Sequence, residues 1–282
     1  MAVTTLAGRL RTAAWLGWQI ESNWADPLVF AIYSVARPLA TALILMGIYW
    51  AVTGGHLQRD AFLLFYIGNA FHEYVLRLVV GMGWVVVEER EEYETLKYVY
   101  ASPIGIFTYL WGRSSVKFAQ ATLSVVLMFL MGWFVLGLRW DLGVVRWGAF
   151  LLAFGIGLVA VVYLGFLVAG LALLLPRAAM TMNEGLAVAL YLLCGVIYPI
   201  DLLPRGLQEL TLLLPFTYWY EALRRFLIGH GASERLSALS DGQLLGALIA
   251  ATLVFAVASH FGYLALERRA RKLGRLDQTT LF

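Results

Sequence analysis

Two charged side chains four residues apart, Glu73 and Arg77, stand in the middle of an apolar run extending from Ala61 to Val87. On a helix that spacing places a carboxylate and a guanidinium on one face. A charge at the centre of a bilayer costs roughly 2.5 to 3.5 kcal/mol on insertion scales, so such groups pair with each other or line an aqueous path. Two readings stay open: a structural ion pair that fixes helix packing, and a place on a translocation path. Arg37, beside Pro38 in another apolar run, reads as a side chain snorkelling toward the interface.

Other chemistry is sparse. The three lysines, Lys97, Lys117 and Lys272, do not follow a glycine, so the phosphate-cradling loop GxxxxGK[ST] is missing and the chain has no P-loop for ATP. His56, His72, His230 and His260 are scattered singly, without zinc-ligand spacing. The single cysteine, Cys194, excludes an intramolecular disulfide and a thiolate metal site. A GxSxG nucleophile elbow is also missing. No catalytic site and no cofactor of its own are expected of this chain.

The densest polar segment, Glu88 to Arg113, reads EEREEYETLKYVYASPIGIFTYLWGR. Thr95, Leu96, Val99 and Tyr100 would share one face of a short helix, and Pro103 biases Ser102 away from helical geometry, so the helix should end there. The five glutamates, taken alone, read as an acidic solvated loop, and their spacing matches no EF-hand.

The elements that position these residues follow from composition. Of 282 residues, 61% are hydrophobic and 14% charged, far from the roughly 25% charged of soluble domains, which excludes disordered and nucleic-acid-binding classes. The net charge of +3 belongs to Lys and Arg at the ends of apolar runs, as in membrane anchors. A span needs about 20 apolar residues. Segments of that kind are Leu28–Val52, Ala61–Val87, a third from about Ile104 to Leu138, Trp147–Leu175, Ala178–Ile200 and Leu244–Leu266, giving an all-α integral membrane protein with six transmembrane helices.

Before the first span, Leu6, Leu10, Ala13, Ala14, Gly17 and Ile20 recur at helical spacing, with Trp15, Trp18 and Trp24 nearby, the pattern of an amphipathic helix in the headgroup plane. Arg9 and Arg11 are followed by a mixed stretch ending in Glu21 and Asp26, which is no secretory signal. Between the fifth and sixth spans, Asp201 to Gly229 carries apolar runs broken by Pro204 and Pro215, each shorter than the ~17 residues of a crossing, so short helices should dip in and return. With six spans, twelve Lys and Arg fall on the side of the termini and seven on the other, which makes both termini cytoplasmic. The expected division is an interfacial helix over 1–27, one membrane domain over 28–266 and a basic cytoplasmic tail over 267–282. Eleven span aromatics (Tyr66, Phe71, Tyr74, Trp84, Phe129, Trp133, Phe134, Tyr163, Phe166, Tyr191 and Tyr198) are expected mostly at lipid-facing or interfacial positions.

At the segment after the second span the sequence resembles the permease subunits of ABC-2 type exporters, whose coupling helix reads like RExGTLExLxxSP followed by an LGR-like triplet. Arg90, Glu91, Thr95, Leu96, Ser102 and Pro103 match, and Trp111, Gly112 and Arg113 stand at the triplet. Glu94 replaces the usual glycine, Lys97 the usual glutamate, and one extra residue separates Arg90 from Thr95. A second resemblance, to sGxxxPxxxLP and nPltyxxealR, covers Gly195, Tyr198, Pro199, Leu203, Pro204, Leu214, Pro215, Thr217, Tyr218, Glu221, Ala222, Leu223 and Arg224.

What the resemblance implies is a cytoplasmic coupling helix around Glu94 to Pro103, with Tyr98 among the residues that meet the partner, and re-entrant helices from the extracellular face before the last span, with Pro199, Pro204, Pro215, Tyr218, Glu221 and Arg224 in the cap. It further implies a second permease copy as a homodimer, two cytosolic ABC ATPase subunits that bind ATP and Mg, and a multi-pass place in a bacterial or archaeal cell membrane, among lipid and without nucleic acid. The implied function is ATP-driven multidrug efflux, the export of a drug-like or amphiphilic compound. A glycolipid or polysaccharide cargo is the alternative within the family, and an ion channel or a membrane-embedded enzyme the alternatives outside it.

Overall fold

The computed structural model describes residues 5–23, 27–54 and 58–276, and the described residues form helices joined by turns, without strands. Trp24, Asp26, His56 and the end of the tail lie outside them. Helix α1 (Leu6–Asn23) leads into α2 (Pro27–Val52) and α3 (Arg59–Glu92); then come α4 (Leu96–Ala101), α5 (Ile106–Phe134), α6 (Trp147–Leu174) and α7 (Ala179–Leu193). Three short helices follow, α8 (Arg205–Thr211), α9 (Pro215–Ile228) and α10 (Glu234–Ser237), before α11 (Asp241–Lys272) closes the chain.

Five helices, α2, α3, α5, α6 and α11, are long and apolar enough to cross a membrane. The expected fifth span, Ala178–Ile200, is instead a 15-residue helix, α7, preceded by a 3-10 turn and followed by turns. It ends at Cys194 because Gly195 takes φ +77, a conformation that a side chain resists, and Pro199 begins a new turn. At 1.5 Å per residue α7 is about 22 Å long, short of the ~30 Å hydrocarbon layer.

The helices pack around α3. In its membrane-length window 78% of residues are buried, against 17% for α2, which places α3 at the centre and α2 at the periphery. It is one helix with two π turns, Leu76–Val80 and Glu88–Glu92. Against it pack α5, α6, α7 and α9, while α11 lies along α6. The apolar face expected of α1 is buried on α5: Ala13 and Gly17 are covered, Trp15 and Trp18 exposed. That contact depends on Gly112, where an added Cβ would collide with Ala13.

Four of the eleven span aromatics turn inward, and six more are partly covered. Only Phe134 of the eleven is exposed, whereas Tyr66, Phe71, Tyr74 and Phe166 are buried. Phe71 meets Tyr74, Phe129, Phe150 and Phe154 at centroid distances of 5.6–6.4 Å, so rings fill the junction of α3, α5 and α6. The core divides into two clusters. One holds Phe62, Tyr66, Phe216, Trp219 and Phe226, and the other Met82, Val86, Leu96, Tyr109, Phe166 and Tyr263.

Candidate functional site

The polar end of α3 is not a solvated loop. Glu89, Arg90 and Glu91 are buried, Glu88 is half-buried, and only Glu92 and Glu94 of the five glutamates are exposed. Three consecutive helical residues span about 200° of arc, so their joint burial requires neighbours on more than one side. These are α5 and the end of α6. Arg113 donates to Glu88 at 2.7 Å, and Glu89 accepts from both Thr95 and Tyr109. Arg90 donates to the Ala172 carbonyl and to Glu91, both at 2.9 Å. Composition alone suggested solvation; the burial follows from partners 20 or more residues away in sequence.

The turn after this helix explains the departure at Glu94. The Thr95 N–H bonds the Glu89 carbonyl at 2.8 Å, one residue further back than in a Schellman motif because the helix ends in a π turn, and Glu94 takes the left-handed position of such a C-cap. Glu94 has φ +51, and among the described residues no other non-glycine has positive φ. A glycine, which the ABC-2 pattern places there, adopts that geometry without the ~1–2 kcal/mol cost of a side chain.

Helix α4 then forms as its spacing predicts, and Ser102 leaves it extended at ψ 154 before Pro103. Its two faces differ. Leu96 is 2% exposed, within the core, while Tyr98 is 65% exposed, with Tyr93, Glu94, Lys97, Ala101 and Pro103 also open. Arg90, Glu91 and Leu96 therefore support the site from inside, Thr95 and Ser102 bond back to Glu89 and the Val99 carbonyl, and the outward surface belongs to the other residues.

Sequence reasoning missed one partner. The Arg271 guanidinium lies 4.5 Å from the Tyr100 ring centroid and pairs with Glu267 at 2.7 Å, which joins α4 to the last turns of α11. Burial pushes the Tyr100 hydroxyl above the ordinary tyrosine range. The only available signal was an i to i+4 pair in a basic tail, which usually means a solvated helix end.

Glu73 and Arg77 do form a pair, with Arg77 Nε 3.3 Å from Glu73 Oε2. Glu73 is buried, whereas Arg77, within the first π turn, also faces a cleft.

In the segment before α11 the prolines begin the turns: Pro199 precedes a 3-10 turn, Pro204 caps α8, and Pro215 opens α9 where its missing N–H is harmless. Buried Arg224 donates to the carbonyls of Leu64, Gly195 and Val196 at 2.7–2.8 Å, fastening α9 to α3 and to the turn after α7. Glu221 accepts from the Ala232 and Ser233 N–H groups, and Arg225 donates to the Leu236 and Leu239 carbonyls. Tyr218 bonds the Leu212 carbonyl at 2.9 Å. These side chains satisfy irregular backbone.

Among the described residues no group of His, Cys, Asp or Glu is arranged to hold a metal ion. No curated protein matches the sequence. The sequence model of the ABC-2 type transporter family matches residues 11–228, from α1 through the turn after α3 to the end of α9. With both motif regions inside that match and a bundle of membrane-length helices around α3, the chain belongs to the ABC-2 type transporter family, as the membrane-spanning permease component and not the ATPase.

Proposed function

We propose that this chain is the permease of an exporter that moves a drug-like or amphiphilic compound out of the cell, working as two copies with two cytosolic ATPase subunits that bind ATP and Mg. The observation that supports this reading is the divided face of α4. Tyr98 and Lys97 project from α4 and Tyr93 from the turn before it, while buried Leu96, Thr95–Glu89 and Arg271–Tyr100 tie α4 to α3 and α11, and Glu88–Arg113, Glu89–Tyr109 and Arg90–Ala172 tie the end of α3 to α5 and α6. A force applied at Tyr98 thus reaches α3, α5, α6 and α11 through buried polar contacts rather than through a loose loop. A partner that changes conformation on ATP hydrolysis can bias the bundle only through contacts that differ between two states, and this surface is suited to provide them.

In this reading α7 and the turns after it together complete a sixth crossing, so that the termini and α4 are cytoplasmic, the chain resides in the cell membrane, and Asp201–Gly229 re-enters from the outer face as a cap without adding a crossing. The test is to purify the chain with its ATPase partner, reconstitute both, and screen amphiphiles for stimulation of ATP hydrolysis. Stimulation that disappears in Tyr98→Ala, with the variant still folded and inserted, is the expected result. A permease that stimulates its partner equally well without Tyr98 would remove α4 from the coupling route.

A further inference from the structure

A cleft of about 780 Å³ opens between α1, α2, α3, α5 and α7. Its depth follows from the length of α3. Thirty-four residues make a helix of about 51 Å, whereas the hydrocarbon layer accounts for about 20 of them. Counted from Arg59, the apolar slab ends near Leu78 to Gly81, and the Lys117 chain lies against Gly81. The cleft therefore sits where α3 leaves the hydrocarbon on the α4 side, at headgroup level, with the exposed indoles of Trp15 and Trp18 on neighbouring α1.

Some of the charges on its walls are neutralised already. Lys117 pairs with Glu21, Arg77 with Glu73 at 3.3 Å, and Glu88 with Arg113 at 2.7 Å. Arg37 of α2, Glu92 at the end of α3 and Glu184 of α7 are exposed and have no ion-pair partner among the described residues. Two free carboxylates against one free guanidinium leave the cleft with a negative charge in excess. The charges are also sorted by depth. Arg37 stands close enough to Arg77 to repel it, and Glu92 close enough to Glu88 to do the same, so guanidinium groups gather at the hydrocarbon end and carboxylates toward α4.

Rings accompany those carboxylates. Trp84 lies one turn before Glu88, Tyr93 follows Glu92, and both line the cleft. An aromatic face attracts a cation within about 6 Å of its centroid. Asn183 packs against Gly83, which brings its neighbour Glu184 to α3 at the depth of the Trp84 indole, and the buried Asn183 amide has no partner of its own. Deeper in the cleft the lining is apolar, with Leu76, Val80 and Val188. Carboxylates and rings at headgroup level, above apolar walls, match a molecule with a positive head and an apolar body. One monovalent cation brings the sum of the free charges to zero, whereas a zwitterion leaves it negative.

The geometry points to this cleft as a site for a lipophilic cation drawn from the α4-side leaflet, its head between Trp84, Tyr93, Glu92 and Glu184 and its apolar body on Leu76, Val80 and Val188. The inference rests on the exporter reading for its meaning, since it names the class of cargo that reaches the bundle, but binding itself needs no partner subunit. The probe is a trimethylammonium amphiphile with a short brominated chain, added to the full chain in a non-ionic detergent. The brominated alcohol and the brominated phosphocholine of the same chain length are its neutral and zwitterionic counterparts. Quenching of Trp84, which lines the cleft, reports occupancy, and Trp84→Phe identifies that component.

The parent should bind the ammonium amphiphile about tenfold more tightly than the alcohol. Glu92→Gln and Glu184→Gln change exposed side chains, so each should cut that preference severalfold with the melting curve unchanged, and together they should abolish it. Arg37→Gln should act in the opposite direction, tightening the ammonium amphiphile about two- to threefold as a like charge leaves. Equal quenching by the ammonium amphiphile and the alcohol, or an unchanged preference in the double variant, overturns the proposal. Equally tight binding of the phosphocholine also overturns it, in favour of a zwitterionic headgroup. Displacement by tetramethylammonium at the same concentration does so in favour of a small soluble cation. If the ammonium amphiphile binds as expected but fails to stimulate the partnered ATPase, the exporter reading fails for this cargo class and the site stands.

Discussion

The proposed coupling turn at the end of α3 and the proposed capping segment around α9 both carry recognisable motifs, and both hold a buried arginine bonded to backbone carbonyls. They use it differently. Arg224 satisfies three carbonyls from two separate segments, and the neighbouring Glu221, Tyr218 and Arg225 are likewise turned onto backbone groups. At the coupling turn, Arg90 reaches one carbonyl, the glutamates pair with side chains of other helices, and the outer face of α4 keeps Tyr98 and Lys97 in solvent. One region spends its polar groups on closing irregular backbone, whereas the other divides them between fastening and display. A motif therefore marks a working surface only where part of it remains outward.

Substitutions ordered by expected effect would break or sharpen that contrast. Arg224→Ala strands the two buried carbonyls of Gly195 and Val196 at about 1–3 kcal/mol each and removes a link to α3, so little folded protein should be recovered by size-exclusion chromatography. Arg224→Lys should not restore it, since an ammonium lacks the planar fork. A normal yield of Arg224→Ala would mean that the cap closes without its staple.

At the coupling turn, Leu96→Ala should lower stability by about 2–3 kcal/mol through the lost core contact, whereas Tyr98→Ala should lie within about 0.5 kcal/mol of the parent. Thermal melts of the two, set beside pull-down of the ATPase subunit, separate support from display. Were Tyr98→Ala the less stable of the pair, the proposed faces of α4 would be reversed.

The intramembrane pair gives an intermediate test. Glu73→Gln or Arg77→Gln alone leaves a poorly solvated charge and should cost about 2–3 kcal/mol, somewhat below the fully buried case because Arg77 borders the cleft. The double variant should recover much of this loss. Equal yields for the parent, both single variants and the double variant would show that the pair contributes nothing to packing.

At Glu94 the expected effect is small and of the opposite sign. Glycine relieves a left-handed side chain worth about 1–2 kcal/mol but adds unfolded-chain entropy of about 0.5–1 kcal/mol, so Glu94→Gly should stabilise by about 0.5–1 kcal/mol. A lowered melting midpoint would indicate that the Glu94 carboxylate makes a contact worth more than the strain.

What the sequence by itself determined is local. Apolar length announced α2, α3, α5, α6 and α11, because a bilayer demands about 20 apolar residues. Ser240 and Gln243 form a capping box three residues apart at the start of α11. Pro103 ended α4, and the four-residue spacing of Glu73 and Arg77 foretold their pair. Tertiary structure decided the matters that depend on distant partners. The expected fifth span stops at Leu193 because the carbonyls of Gly195 and Val196 find Arg224 about 30 residues later, which lets non-helical backbone persist in an apolar segment. Glu88 and Glu89 at the end of α3 turned inward because Arg113, Tyr109 and Thr95 met them, and Tyr66, Phe71, Tyr74 and Phe166 are buried in contacts between helices. Composition records how much apolar or charged surface a segment has; which neighbour covers it depends on where other helices bring their carbonyls, rings and guanidinium groups.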